Sequence, residues 1–322
     1  MGFRSFEGLR SGVVGRGVCW SMTGWVLAAV LAAGCGVEEL PSEEQGPEPR
    51  TQEQAIREDN GLSLNGLSLN GWSLNGLSLN GLSLNGLSTT DFSTWFDENP
   101  SGHEQLMRYV VRCAVAANQS RTFTHPATGT AYTWQGLLGL APAWAGGAPA
   151  TVAEQQIISA CLAAHANNYG LHVPISLLGR GANEEFIPYT VAEMKDFARK
   201  ESCFFGNVFT NQGLFAGNDR SALASDESTS RPCGLKSFGV LTNPACEQVK
   251  RIGQCENHCT LDSSRMYYTQ CTFNGVQYKP LTTRIRAEDV NHCGDGVCQL
   301  GERCGFGITA DSCLLDCGSC PP

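Results

Sequence analysis

Three segments of the chain carry apolar side chains at the three- and four-residue spacing of a helix. They are Leu106, Met107, Val110, Val111, Cys113 and Ala114; Ile157, Ile158, Cys161, Leu162 and His165; and Met194, Phe197 and Ala198. Each segment follows a Ser/Thr-x-x-Glu capping box, which begins at Ser101, Thr151 or Thr190 and satisfies free amides at a helix start. The pattern predicts three helices, and the last of them runs through Cys203 to Gly206.

Other segments have the alternation and turn residues of strands. Residues 121–134 (RTFTHPATGTAYTW) predict a hairpin, and residues 171–177 (LHVPISL) predict a strand in which Pro174 favours an edge position. Residues 266–285 predict a second hairpin that turns at Asn274 and Gly275, because both residues readily reach positive φ. Helices precede this hairpin, so we expect an α+β domain rather than a parallel doubly wound sheet.

A five-residue periodicity fills residues 60–88 with copies of Asn-Gly-Leu-Ser-Leu. Two leucines in each copy flank a serine and point to one face of a short extended segment, and Asn-Gly suits a corner. In the frame Leu-Ser-Leu-Asn-Gly the segment resembles the pentapeptide-repeat family, which implies a right-handed square β-helix. That family prefers a small inward residue where this chain has Leu62, Leu67, Trp72, Leu77 and Leu82.

The repeat is short for a structure that stands alone. Its six units would complete only about one and a half coils, and a solenoid buries its core by stacking neighbouring coils. We therefore expect a spacer that orders against something else. The candidates are the following domain, a neighbouring copy and the membrane surface. The units could also be a substrate for repeated modification.

The first 35 residues have the build of an export signal, with Arg4, Arg10 and Arg16 ahead of an apolar run. The end of this run, Leu31-Ala-Ala-Gly-Cys35, resembles the bacterial lipobox, which implies cleavage before Cys35 and lipidation of its sulfur. Most lipoboxes have leucine three places before the cysteine, where this chain has alanine. An ordinary cleaved signal and a membrane-spanning anchor are the alternatives, although the run is short for a bilayer.

Acidic residues dominate the charge of the chain. Residues 37–60 contain eight of them and few large apolar side chains, which predicts a solvated tether. The whole chain has 31 acidic and 22 basic residues and a formal net charge of −9. The leader is positively charged, so its removal makes the chain more acidic still. Such a chain repels polyanions, which argues against a nucleic-acid partner.

Cysteine usage supports export independently. Of 16 cysteines, Cys19 would leave with the leader and Cys35 would be acylated. The remainder is an even number, and paired cysteines at this density require an oxidising compartment. We expect disulfides at Cys113, Cys161, Cys203, Cys233, Cys246, Cys255, Cys259, Cys271, Cys293, Cys298, Cys304, Cys313, Cys317 and Cys320.

The tail of the chain reads CGDGVCQLGERCGFGITADSCLLDCGSC and cannot build an apolar core, so three disulfides must hold it. Asp295, Glu302, Asp311 and Asp316 offer the oxygen ligands that Ca²⁺ needs. The pattern resembles small extracellular disulfide modules, loosely including calcium-binding Notch-type repeats, and calcium is therefore the candidate cofactor. Four solvated carboxylates are the alternative.

Other candidate chemistry is weaker. Cys161 and His165 could pair a thiolate with a base, and Cys255, His258 and Cys259 could bind zinc, but disulfides are the expected role of these cysteines. Unranked acid and base candidates are Glu184, Glu185, Asp196 and His172. Aromatic residues that could form a platform for sugars or peptides, or else core, are Trp95, Trp134, Trp144, Tyr132, Tyr267 and Tyr268.

These features divide the chain into a signal peptide (1–34), an acidic tether (35–59), the repeat (60–90), a disulfide-stabilised α+β domain of helices and hairpins (91–290) and a small Cys-rich module (291–322). The combination resembles a group of surface lipoproteins of myxobacteria-type bacteria, which implies a location rather than an activity. We expect a non-enzymatic lipoprotein of the outer membrane or cell surface, with a binding or structural role and a surface polymer or protein as partner. The alternative is a secreted hydrolase with its site in residues 91–290.

Overall fold

The computed structural model describes residues 57–60, 62–63, 90–167, 172–219, 224, 226–229, 231, 249–299, 301–306 and 312–321. All of them belong to one compact unit, Pro47–Pro322. The predicted signal peptide with Cys35, most of the predicted tether and most of the repeat lie outside the described residues. Cys233, Cys246 and Asp311 lie outside them as well.

The described helices are α1 (Thr90–Glu98), α2 (Pro100–Ala114), α3 (Pro142–Ala145), α4 (Val152–His165), α5 (Val191–Asp196) and α6 (Leu314–Cys317). The capping box predicted at Thr151 is confirmed, because its side chain and that of Glu154 each accept the other's backbone amide. The box predicted at Ser101 is wrong. Helix α2 begins one residue earlier with Pro100 in its first turn, and the Asn99 side chain accepts the amide of Gly102.

The described strands are β1 (Arg57–Asn60), β2 (Leu62–Ser63), β3 (Ser120–Thr124), β4 (Ala131–Gln135), β5 (Ala166–Asn167), β6 (Val173–Gly179), β7 (Arg199–Asn207), β8 (Gly213–Asn218), β9 (Glu227–Ser228), β10 (Val249–Gln254), β11 (Cys259–Leu261), β12 (Tyr268–Phe273), β13 (Val276–Tyr278), β14 (Leu281–Ile285) and β15 (Asn291–His292). The main sheet has the order β1-β6-β14-β7-β8-β10. Its neighbours are antiparallel except for β8 and β10. A second sheet has the order β11-β12-β13, and three further pairs join β3 to β4, β2 to β5 and β9 to β15.

Strand β7 lies between two apolar cores. Phe204 faces the larger core, which also contains residues of α2, α4, β6 and β8. Cys203 and Phe205 face a smaller core, shared with β12 and β13 of the second sheet. Helix α4 is buried at every residue from Glu154 to His165, so its surroundings, rather than one amphipathic face, hold it in place. The domain is thus layered as helices, main sheet and second sheet.

The two predicted hairpins are confirmed as β3–β4 and β12–β13, the second turning at Asn274 (φ 50°) and Gly275 (φ 77°). The third predicted helix is mostly wrong, since α5 ends at Asp196 and residues 199–207 form the central strand, with Cys203 in its middle. This strand is buried on both faces, and its one short apolar run, residues 203–205, cannot be told from a buried helical segment by periodicity. The predicted strand at Pro174 is confirmed as β6, although it lies one place inside the sheet because β1 occupies the edge.

A buried ion pair ties β7 to the end of α4. Arg231 contacts both carboxylate oxygens of Glu201, with Nε–Oε1 2.7 Å and Nη2–Oε2 2.8 Å, and Nη2 also donates to the carbonyl of Ala164 at 3.0 Å. Both side chains are 0% exposed. A bidentate pair of this kind satisfies two charges that would otherwise be costly to bury, so the loss of one partner leaves the other uncompensated.

Replacing the carboxylate should therefore destabilise the whole domain. We expect Glu201→Gln, which keeps the volume but removes the charge, to lower the free energy of unfolding by about 3–5 kcal/mol in urea titrations. The matched control is Glu184→Gln, which breaks the exposed ion pair with Lys279 and should cost less than about 1 kcal/mol. Equal effects of the two substitutions would contradict a structural role for the buried pair.

Candidate functional site

The described cysteines are all paired. The six disulfides are Cys113–Cys161, Cys203–Cys255, Cys259–Cys271, Cys293–Cys313, Cys298–Cys317 and Cys304–Cys320. The first joins α2 to α4, the second joins β7 to the turn after β10, and the third crosses from β11 to β12. The expected disulfides are therefore confirmed for these twelve cysteines, six of which form the three disulfides of the tail. The cysteines that could have formed a catalytic or zinc site are bonded to sulfur.

His165 is a buried neutral residue. Its ring is 0% exposed, and Nδ1 donates to the carbonyl of Cys161 at 2.8 Å. Burial, together with the smaller effects of the charges of Arg112 and Arg231, lowers its pKa to about 3, although the hydrogen bond to Cys161 opposes the shift. Because Cys161 is bonded to Cys113, the pair holds no thiolate. The structural interpretation of Cys161 and His165 is thus confirmed.

This burial gives a prediction for acid stability. The unfolded chain binds a proton at this imidazole below the ordinary pKa of 6.5, whereas the folded chain does not until about 3. Stability should therefore fall as the pH drops through this window, by up to about 1.4 kcal/mol per pH unit for this residue. In urea titrations between pH 4 and 6, His165→Gln should have the shallower pH dependence. The control His172→Gln, at an exposed position, should keep the wild-type slope. Parallel slopes for all three proteins would contradict the buried neutral ring.

The structure pairs His125 with Asp97, a contact that the sequence pattern does not predict. His125 Nε2 lies 2.6 Å from Asp97 Oδ1, and its Nδ1 accepts the amides of Ala127 and Thr128 at 3.2 and 3.3 Å. The amides fix the tautomer, because only Nε2 is then left to carry the hydrogen. Both ring nitrogens are thus engaged in joining the β3–β4 turn to α1. The two residues are 28 positions apart, so no local spacing indicates the contact.

The other acid and base candidates lie on the surface. Glu184, Glu185, Asp196 and His172 are exposed, and within the described ranges they form no group whose ligand atoms all lie within 4.8 Å of one another. Most of the proposed aromatic platform is core instead. Its buried members are Trp95, Trp134, Trp144, Tyr267 and Tyr268, whereas Tyr132 is half-buried. The core interpretation is therefore confirmed for the buried five, and they cannot form an exposed platform.

The predicted calcium ligands are engaged with the backbone of the tail. Asp316 accepts the amides of Gly294 and Gly296, and Asp295 accepts the amide of Val297 and the Gln299 side chain. These bonds hold the loop between the first two cysteines of the module against α6. Carboxylate oxygens are ligands that calcium prefers, but these ones do not lie close enough together to bind one ion. Asp295, Glu302 and Asp316 form no group, within the described ranges, with ligand atoms all within 4.8 Å.

Glu302 is the acid in the tail with unsatisfied bonding capacity. It is 8% exposed, and its Oε1 finds no hydrogen-bond partner among the described residues, nor does Oε1 of Gln299. Burial raises the pKa of Glu302, and the nearby charges of Asp316 and Asp295 raise it further. A cation would relieve this arrangement, but Asp295 and Asp316 would have to reorient toward it.

We expect the tail to bind calcium weakly, with a dissociation constant of about 10⁻⁴–10⁻³ M, as in other extracellular modules. Hydrogen exchange of residues 293–306 in the oxidised protein should slow on addition of calcium, and Glu302→Gln should remove the effect. Glu288→Gln, outside the tail, is the control and should respond as wild type. Unchanged exchange in millimolar calcium would refute the predicted site.

The beginning of the repeat meets the domain at the edge of the main sheet. Strand β1 pairs antiparallel with β6, from Arg57 opposite Ser176 to Asn60 opposite Val173. Strand β2 pairs in parallel with β5, which directly follows α4. The end of the predicted tether and the first repeat unit are thus paired with the domain through backbone bonds.

No family model, curated protein or solved structure matches the chain. Among the described helices, none combines the length and the apolar character needed to cross a bilayer. Inferences about function therefore depend on the chemistry and geometry of this chain alone.

Proposed function

We propose that the protein is an exported lipoprotein of the cell envelope, anchored to the outer membrane or cell surface, with a binding or structural role. The observation that carries this proposal is the distribution of the disulfides. They occur in the helical layer, between the two sheets and throughout the tail. Disulfides in all parts of a domain are sustained in an oxidising compartment and not in the cytosol.

The proposed architecture is a disulfide-stabilised α+β domain with a small Cys-rich module behind it. The mixture of helices and sheets supports the first part, and three disulfides within residues 293–320 support the second. The module also contacts the domain, since β15 pairs with β9. In this arrangement the lipid on Cys35 holds the chain at a membrane and the tether and repeat connect it to the domain.

A binding or structural role suits how the polar side chains of the domain are used. Glu154 accepts the amides of Ala143, Trp144 and Thr151, so one carboxylate organises the starts of two helices. Asp262 likewise accepts three amides and the hydroxyl of Ser264, which lowers its pKa despite partial burial. These carboxylates stabilise loops on a rigid scaffold, and binding residues commonly lie on loops that are held in this way. A secreted hydrolase with its site in residues 91–290 stays the alternative hypothesis.

The anchor is tested by metabolic labelling with a radioactive fatty acid in a bacterial host that processes lipoproteins. We expect the wild-type chain to be labelled and to sediment with the membranes, whereas Cys35→Ser should be unlabelled and released. Cys19→Ser removes a cysteine that leaves with the signal peptide, so it should be labelled as wild type. Absence of label from the wild-type chain, or label that persists in Cys35→Ser, would overturn the lipoprotein assignment.

A further inference from the structure

The first Asn-Gly-Leu-Ser unit of the repeat occupies a seat on the domain. Asn60 lies opposite Val173 at the start of β6, and Leu62 and Ser63 lie opposite the two residues of β5. Because β6 pairs with β14 along its other side, β1 fills the side of β6 to which a strand can be added, and its residues Arg57–Asp59 there precede the repeat. The seat is therefore a sheet edge together with the short segment that leads into it, and an extended segment of the chain fills it.

The seat recognises its occupant through backbone pairing, as in other cases of strand addition. Residues 65–68, 75–78, 80–83 and 85–88 repeat the sequence Asn-Gly-Leu-Ser, and residues 70–73 differ only by Trp72. A seat that accepts the first unit has no chemical basis for refusing four identical ones. Each chain therefore carries several equivalent ligands but, among the described residues, a single seat for them.

Reach and charge favour a second copy of the chain as the partner. Residues 64–89 separate β2 from α1, and a segment of that length can extend to about 90 Å. Residues 60–90 contain no charged side chain, whereas the chain as a whole has a net charge of −9 and copies repel one another. The uncharged repeat is the part that can approach a neighbour at the least electrostatic cost.

We propose that the edge formed by β5 and β6 is a receptor for Asn-Gly-Leu-Ser units, and that later units of one copy fill the receptor of a neighbouring copy. The first unit of each chain competes for its own seat at a high effective concentration, because it adjoins β1. Linkage between copies therefore grows with their local density, as at a membrane surface. This inference extends the proposed envelope role and rests on it for the location of the protein at a membrane.

The test uses the oxidised mature chain with Cys35→Ser, in solution, by sedimentation over a wide concentration range. The comparison variant replaces Ser68, Ser73, Ser78, Ser83 and Ser88 by proline, which cannot donate a backbone hydrogen bond to a neighbouring strand, so length and first unit are kept. We expect the wild-type repeat to associate at concentrations at least about tenfold lower than the proline variant does. A monomer at all concentrations, or equal association of both chains, would overturn the proposal.

A second measurement identifies the contact. A copy carrying Leu67→p-benzoylphenylalanine is mixed with ¹⁵N-labelled copies and irradiated, and mass spectrometry locates the cross-links between light and heavy chains. We expect them within residues 166–179 of the heavy chain, and cross-links confined to other segments would refute the assigned receptor. Both experiments use unlipidated protein in solution, so failure of the lipoprotein assignment would leave their outcomes unaffected.

Discussion

The structure depends on the burial of β7 along both faces. Its alternate side chains enter two cores, so α4 and the second sheet must each cover one side of the same strand. The strongest constraints converge on it: the disulfide from Cys203 to Cys255, and the ion pair of Glu201 with Arg231. The Sγ atoms of Cys203 and Cys259 lie 3.7 Å apart, so the two disulfides of the smaller core pack directly against each other. A chain with modest apolar content in its second sheet thus gains a core from sulfur and aromatic rings.

Sequence patterns predicted several elements that local chemistry determines. The capping box at Thr151, the Asn274-Gly275 turn and the three-disulfide tail each involve residues close in sequence. The pattern failed at residues 199–207, where the strand is buried on both faces and its one short apolar run, residues 203–205, lacks the alternation that distinguishes a strand. Helix α1 went unpredicted even though Phe92, Trp95 and Phe96 have helical spacing and are buried. The helix packs on the β3–β4 hairpin through ring contacts of Phe92 and Phe96 with Phe123, which are distant in the sequence.

The contacts of the candidate site residues were predicted less well than the secondary structure, because they join residues that are distant in the sequence. The pairings of His125 with Asp97 and Arg231 with Glu201 span 28 and 30 positions, which single-sequence spacing cannot reveal. Cys161, Cys255 and Cys259 form disulfides, as an oxidising compartment predicts, rather than the catalytic or zinc sites that their local spacing allows. The acidic residues of the tail were predicted in part. A sequence shows which residues could be metal ligands, but it does not show whether their ligand atoms lie close together.

The domain begins before residue 91, because β1 forms the edge of the main sheet and Leu62 and Ser63 of the first repeat unit pair with β5 in a separate two-stranded sheet. Hydrogen exchange of the intact mature chain, read by mass spectrometry over residues 57–63, tests this most directly. Backbone pairing with β5 and β6 predicts exchange at least about tenfold slower than that of an unstructured peptide of the same sequence. Exchange of these amides at the unstructured rate, with β6 still protected, would contradict the claim.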